Sequence, residues 1–186
     1  FVATAPGLEK VCAAEMHALA LPGITVVAGG VAFCGGLREL YLANRWLRTA
    51  SRILVWFAEL RCRDFPALYR KALRLPWGRY VKPGTPLRMR VTCRRSRLHH
   101  SGRIAEAIGA AAQRALGGAS NDSGGGEQLV IVSFADDVCR LSLDSSGELL
   151  HRRGYRRDVG PAPLRETLAA GILMLLGWQG DRSLYD

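Results

Sequence analysis

The sequence predicts a mixed α/β (α+β) chain made of two small units. Three observations support this: short β-rich runs alternate with stretches of helical period, Gly and Pro pairs punctuate them, and 186 residues suffice for two modest cores. Composition is that of a globular chain, with 48% hydrophobic and 23% charged residues. No apolar run, including the longest within Leu168–Leu176, approaches the roughly 18 residues of a membrane span.

Residues 1–5 read as a short strand and Pro6-Gly7 as a turn. Leu8, Val11, Cys12, Met16 and Leu19 then recur at helical spacing, until Pro22-Gly23 ends the helix. "ITVVAGG" and "VAFCG" form a hairpin around Gly29-Gly30. "LRELYLANRWLRTAS" returns to helical period, with Leu37, Leu40, Tyr41, Asn44 and Leu47 on one side. "RILVWFAELRC" is too β-branched and aromatic for a helix. The resulting order β-α-β-β-α-β is that of a split β-α-β, ferredoxin-like unit.

Asp64 is placed to cap a helix running to Leu73, after which Pro76 and Pro83-Gly84 open a loop. In "PLRMRVTC", Leu87, Met89, Val91 and Cys93 alternate with Arg88, Arg90 and Thr92, as in a strand buried on one face. Ser101-Gly102 precedes a helix with Ile104, Ile108, Ala111 and Ala115 in register, and "GGASNDSGGGE" is a flexible loop. "LVIVSFA", Asp136-Asp137 and "VCRLSLD" make a hairpin that buries Cys139, Leu141 and Leu143 and exposes Arg140, Ser142 and Asp144. A strand "ELLHRRGY" is expected next. A last helix follows, with Leu164, Leu168, Ile172 and Leu175 on its apolar side and Pro161 or Pro163 near its first turn.

The formal net charge is +10, and only Lys10, Lys71 and Lys82 of the 26 cations are not arginine. Between Asp64 and Glu106 there is no carboxylate, while Arg70, Lys71, Arg74, Arg79, Lys82, Arg88, Arg90, Arg94, Arg95, Arg97 and Arg103 all fall there. A surface shaped only for solubility mixes both signs, so this single-sign run points to a polyanion, most simply RNA. Within it "TCRRSRLHHSGRIAE" joins a strand end to a helix start. Arg94, Arg95, Ser96, Arg97, His99, His100, Ser101 and Arg103 thus surround a helix N-terminus with unpaired N–H groups, a site suited to phosphates. His99 and His100 are candidates to stack on a base.

Cys12, Cys34, Cys62, Cys93 and Cys139 stand far apart with no C-x-x-C, so reduced thiols in a cytoplasmic protein are expected, with no metal site. No Ser-His-Asp or Cys-His arrangement and no phosphate-binding glycine loop of the G-x-x-x-x-G-K-[ST] type occurs, so no catalytic residues are assigned. The opening "FVATAPGLEK" lacks an initiator Met and any leader pattern, which suggests a piece of a longer protein.

"ATAPGLEKV", "GGVAFCG", "TASRILV", "RSRLHHSGRIAEAI" and "HRRGYRRDVGPAPLRETLAAGILMLLGW", in this order and spacing, resemble the amino-terminal half of the THUMP-domain RNA methyltransferases. The likeness is greatest to bacterial members that methylate the N2 amine of a guanine in large-subunit ribosomal RNA. The resemblance implies a ferredoxin-like domain over residues 1–60 and a THUMP RNA-binding domain over 61–157. Residues 158–186 would then be the linker and first helix of a truncated Rossmann-like domain that uses S-adenosylmethionine. In the family, the "LYD" with which this chain closes continues into Asp-Pro-x-Cys-Gly-Ser-Gly-Thr, and an (Asn/Asp)-Pro-Pro-(Tyr/Phe) motif comes later. Neither motif is present here, so the parent protein is expected to be the enzyme and this part alone to bind RNA without methylating it. Any cofactor contact would lie near Pro161, Pro163 and Asp186 in the parent.

The partners so implied are structured RNA, ribosomal rather than transfer, and the chain's own methyltransferase domain, with no membrane. Beyond the 82–103 cations, Arg152, Arg153, Tyr155, Arg156 and Arg157 belong to the expected RNA-binding set. An alternative reading is a THUMP module serving thiolation or deamination of transfer RNA, or acting as an accessory subunit. The helix after Pro161 favours the methyltransferase, because a stand-alone binding module has no need of it.

Overall fold

The computed structural model describes residues 1–118, 126–154, 156, 162–181 and 183–184. They pack as two units, residues 1–54 with 145–186 and residues 55–144. The expected loop at 117–127 falls largely outside the described residues.

The first unit contains β1 (Val2–Thr4), α1 (Glu9–Ala18), β2 (Thr25–Val27), β3 (Gly30–Ala32), α2 (Leu37–Trp46) and the first residues of β4 (Ala50–Arg61). The strands lie in the order β2-β3-β1-β4, with the registers Val2↔Val31 and Val2↔Ile53 antiparallel. This is the split β-α-β arrangement that the element order predicts. Val2, Cys12, Met16, Val31, Ala43, Leu47 and Ile53 form its core. Gly30 is required where β3 meets β1, since a Cβ there would collide with the Val2 carbonyl.

Two expectations for this unit need correction. On α2, Leu37 and Tyr41 are each 71% exposed, while Ala43 and Leu47 are fully buried. The helix ends at Trp46 and Leu47 is already extended (φ −70°, ψ 119°), so it enters the core from the chain rather than from the helical face. The strand expected at 148–155 does not form over 148–154. The Ser145 N–H donates to the Ile53 carbonyl (3.0 Å), the Ile53 N–H to Ser146 Oγ (2.8 Å) and the Leu150 N–H to the Ser51 carbonyl (3.0 Å). These contacts satisfy the β4 edge group by group, and Gly147 (φ +68°) and Gly154 (φ +81°) turn the chain away from an extended path.

The last helix, α5 (Glu166–Leu175), leaves most of its apolar side uncovered, as expected of the first helix of a truncated domain. Its buried residues are Thr167 and Gly171, whereas Leu164, Ile172 and Leu175 are 50%, 47% and 65% exposed. Gly171 is required at its position, since Leu8 occupies the space that a Cβ would need. Pro163 lies two residues before the N-cap Arg165, not in the first turn, and Pro161 is outside the described residues.

The second unit contains the rest of β4, α3 (Phe65–Leu73), a 3₁₀ turn (Trp77–Arg79), β5 (Leu87–Arg94), α4 (Ser101–Ala115), β6 (Gln128–Ala135) and β7 (Val138–Asp144). Its strands run β4-β7-β6-β5, with β5 and β6 parallel and β6 and β7 antiparallel. Asp64 caps α3 as expected, its Oδ1 accepting from the Ala67 N–H at 2.7 Å. Leu68, Ala72, Ile104, Ile108, Ala111, Val130, Val132, Phe134, Cys139 and Leu141 share one core, so both helices cover the same face of the sheet. Ala112, not Ala115, completes the buried stripe of α4. Asp144, expected on the open side, is only 7% exposed, so the alternation of burial along β7 lapses at its last residue.

Among the described residues no helix is long and apolar enough to cross a membrane. Cys12, Cys62 and Cys139 are buried, and desolvation raises the Cys12 thiol to about 11 and the Cys139 thiol well above the ordinary thiol range. Cys34 is the exposed cysteine. Ellman's reagent should therefore titrate about one thiol quickly in the folded chain and all five after denaturation. Cys34→Ser should remove the fast phase, and a fast phase that survives this change would contradict the assignment.

Candidate nucleic-acid interface

Strand β5 sets up the interface by its two-residue period. Leu87, Met89, Val91 and Cys93 face the core, and Arg88, Arg90, Thr92 and Arg94 are exposed on the other side. Arg88 pairs with Glu127 at 2.9 Å, while Arg90 and Arg94 make no ion pair among the described residues.

The loop from Arg95 to His100 is held at both ends of its charge. Leu98, 5% exposed, plugs it into the core. Opposite it lies the β6–β7 turn, whose Asp136 and Asp137 both adopt positive φ (50° and 61°), the backbone of a tight two-residue hairpin. Arg95 makes a two-pronged pair with Asp136 (Nε–Oδ1 and NH2–Oδ2, both 3.1 Å). The Arg97 N–H donates to Asp137 Oδ1 at 2.9 Å, Arg63 Nε to Asp137 Oδ2 at 2.8 Å, and the Asp137 N–H to Ser96 Oγ at 3.2 Å. The run from Asp64 to Glu106 is acid-free in sequence but not in space.

The Arg97 N–H, followed by the Arg63 side chain, holds the Asp137 carboxyl below the usual carboxylate range. Because the folded value is the lower one, this stabilisation is present above the ordinary carboxylate pKa and fades as pH falls through the depressed one. The Arg95–Asp136 pair is 80% and 62% exposed, so its role is to position rather than to stabilise.

Helix α4 begins at Ser101 with His100 as N-cap, and no side chain caps it. Its first N–H groups therefore face outward beside the loop, with no acid in the first turn. The His99 and His100 rings stack against each other (centroids 4.3 Å, 37° apart), and His99 Nδ1 lies 3.2 Å from the Arg97 carbonyl. Arg103 lies over Phe65 with its guanidinium carbon 4.4 Å from the ring centroid. The Arg94 and Arg97 guanidiniums make no ion pair among the described residues.

Arg88, Arg90, Arg94, Arg95, Ser96, Arg97, His99, His100, Ser101 and Arg103 thus share one strand, its loop and the following helix start in the second unit. Lys82 sits exposed in the loop before β5 and makes no bond to this group among the described residues. Arg152, Arg153 and Arg156 belong to the first unit and are engaged there. Arg152 meets Glu148 (3.4 Å), and Arg156 donates to the Leu164 carbonyl (2.8 Å) and lies 3.4 Å from Glu166. Arg153 donates to three carbonyls, of Leu150 (3.0 Å), Arg45 (2.7 Å) and Leu47 (2.8 Å), a structural duty its sequence context does not announce. Tyr155, Arg157, Pro161 and Asp186 lie outside the described residues.

The residues that sequence reasoning missed are Asp136, Asp137 and Arg63. The only signal for them is two consecutive Asp at a hairpin turn, which marks a turn but not its partner forty residues upstream. No three His, Cys, Asp or Glu side chains among the described residues come together as a metal site.

Three family models match the chain: the RlmL ferredoxin-like domain over residues 1–54, the THUMP domain over 62–144, and the RMKL-like methyltransferase domain over 153–186. A Synechocystis protein described as a candidate RNA methyltransferase is 34% identical over the whole chain, which covers 50% of it. The ribosomal RNA large subunit methyltransferase K/L of Methylococcus capsulatus is 36% identical over 96% of the chain, 25% of that protein. Among solved structures, a Listeria monocytogenes protein described by sequence-based prediction as an N6-adenine-specific DNA methylase superposes with a TM-score of 0.89 at 29% identity. All of this chain and 50% of that one are covered. A candidate methyltransferase crystallised with SAH gives 0.85 at 30% identity, over 97% of this chain and 49% of that one. The chain spans half or less of the length of these relatives.

Proposed function

The chain belongs to the THUMP-domain RNA methyltransferase family, and on that premise we propose that its second unit grips folded RNA for S-adenosylmethionine-dependent methylation elsewhere in the parent protein. The substrate we assign is large-subunit ribosomal RNA, in keeping with the K/L relative, and the methylated group is the guanine N2 amine that the sequence resemblance implies. The observation that carries the RNA reading is the set of exposed cations on β5 and in the Arg95–His100 loop, together with the uncapped start of α4. It offers guanidinium forks and backbone N–H groups to phosphates and no base-edge code. The RNA would be selected by its fold, and the module raises its effective concentration at a distant catalytic pocket.

S-adenosylmethionine would supply the methyl group. The described residues contain no glycine-rich strand-to-helix turn that fits it, so no step is derived through it. By this reading the chain alone binds and does not methylate. In this reading the boundary near residue 60 parts the ferredoxin-like domain from the RNA-binding one and that near 157 parts RNA grip from cofactor chemistry, whereas the packing units part after 54 and after 144.

Filter binding of ribosomal and transfer RNA over a salt series tests this. About six phosphates on irregular RNA predict a slope of log K against log salt of about −4. Changing Arg94, Arg95 and Arg97 together to Ala should flatten it to about −2. A parent slope near zero removes the RNA reading, and unchanged affinity in the triple variant removes the site.

A further inference from the structure

Both helices of the second unit cover one face of its sheet, and the opposite face is open along Arg90, Thr92, Arg94, Ser133, Arg140 and Trp56, while Leu129 on it is buried. Strand registers determine what stands on it. Thr92 lies beside Ser133, and Ser133 beside Arg140, so one polar row crosses β5, β6 and β7. On β4 the row ends in Glu59 and Trp56. Arg140 Nε is 2.9 Å from Glu59 Oε2, and its guanidinium lies 4.9 Å from the centroid of the Trp56 ring. Trp56 is 51% exposed, although it stands on a strand whose other aromatic, Phe57, packs into the core. At the far edge Arg90 and Arg94 flank the row, separated from Thr92 by two residues each, about 6.6 Å along the strand.

We propose that this open sheet face is a platform for a single-stranded RNA segment laid across the strands, one base stacking on the Trp56–Arg140 pair and phosphates meeting Arg90 and Arg94. The inference rests on the RNA reading above and extends its contact region across the sheet from the shared Arg90 and Arg94 to Trp56. The three strand spacings from β4 to β5 amount to about 14 Å, which a few extended nucleotides cover. A half-exposed Trp with a guanidinium over its ring is a π surface that any base fits, and Glu59 holds that Arg through its Nε. Duplex RNA is the poorer occupant, because its bases are already stacked on each other and present no free face to Trp56. A protein surface is poorer too: the middle of the face is Thr92, Ser133 and Arg140, with no exposed cluster of large apolar side chains among the described residues.

The test is fluorescence anisotropy of a labelled single-stranded RNA decamer of mixed sequence and of a hairpin duplex, titrated with the 186-residue chain. Trp56→Ala should weaken decamer binding about tenfold and hairpin binding far less, and Trp56→Phe should recover most of the loss. Ser133→Glu puts a carboxylate in the middle of the row without touching the core and should also weaken decamer binding. Circular dichroism melts confirm that each variant is folded. If Trp56→Ala and Ser133→Glu bind the decamer like the parent while the Arg94, Arg95, Arg97 triple variant is weakened, the platform is wrong and the RNA reading stands. If the triple variant is also unaffected, both fail. Equal weakening toward decamer and hairpin would overturn the assignment to single-stranded RNA.

Discussion

Trp77→Ala should destabilise the second unit by about 4 kcal/mol, lowering its thermal midpoint by about 20 °C. Trp77 is 1% exposed, and its indole N–H donates to the Ala72 carbonyl at 2.8 Å, which locks the end of α3 to the 3₁₀ turn. Its ring meets Phe57 edge-on (centroids 5.2 Å, 65°), and Phe57 in turn meets Tyr80 at 5.4 Å. Alanine would leave a cavity bounded by a sheet on one side and two helices on the other, elements that cannot easily collapse into it. Trp77→Phe keeps much of the volume and gives up the hydrogen bond, so it should lose far less. Urea unfolding followed by circular dichroism checks the pair. Equal midpoints for the Ala variant and the parent would show that the ring is not part of the cooperative core.

The second large effect is expected at Glu15. Its side chain, 8% exposed, accepts four hydrogen bonds at the entry to β4. Oε1 takes the Arg48 N–H (3.2 Å) and Nε (3.0 Å), and Oε2 takes the Thr49 N–H (3.0 Å) and Oγ1 (2.6 Å). Glu15→Gln replaces one of the two oxygens by an NH2 group, so two donors would face another donor with Thr49 fully buried. The first unit should lose about 3 kcal/mol, and hydrogen exchange at the Thr49 amide should speed up in step. A neutral outcome would mean that the connection can rearrange around the amide.

Much of this fold can be read from local chemistry. The alternation of Leu87 to Arg94, the Asp64 cap and the Asp136-Asp137 turn are each decided within a few residues, and each forms as read. Features decided by distant partners are not readable in that way. The pull of Asp136 and Asp137 on Arg95 and Arg97 joins segments about forty residues apart, so a run that looks purely cationic carries its own counter-charges. Leu37 and Tyr41 have the spacing of a buried stripe, but where α2 ends and how Leu47 enters the core decide which side is buried. The strand expected at 148–154 fails because Ser145, Ser146 and Leu150 satisfy the β4 edge singly, and no propensity scale registers that. On α5, the period is readable, whereas the contact of Gly171 with Leu8 is not.

At the level of composition, the preference for arginine over lysine carries little structural meaning, since a nucleotide bias alone can produce it. The three carbonyls gathered by Arg153 make that preference specific at one position. A planar fork reaches the C-terminal end of α2 and the turn at Leu150 at once, whereas a lysine ammonium on its single stem would satisfy one carbonyl well and leave the others to water. Position 153 therefore admits no conservative exchange of one cation for the other. Among the many arginines of this chain, it is one whose identity is set by geometry rather than by charge.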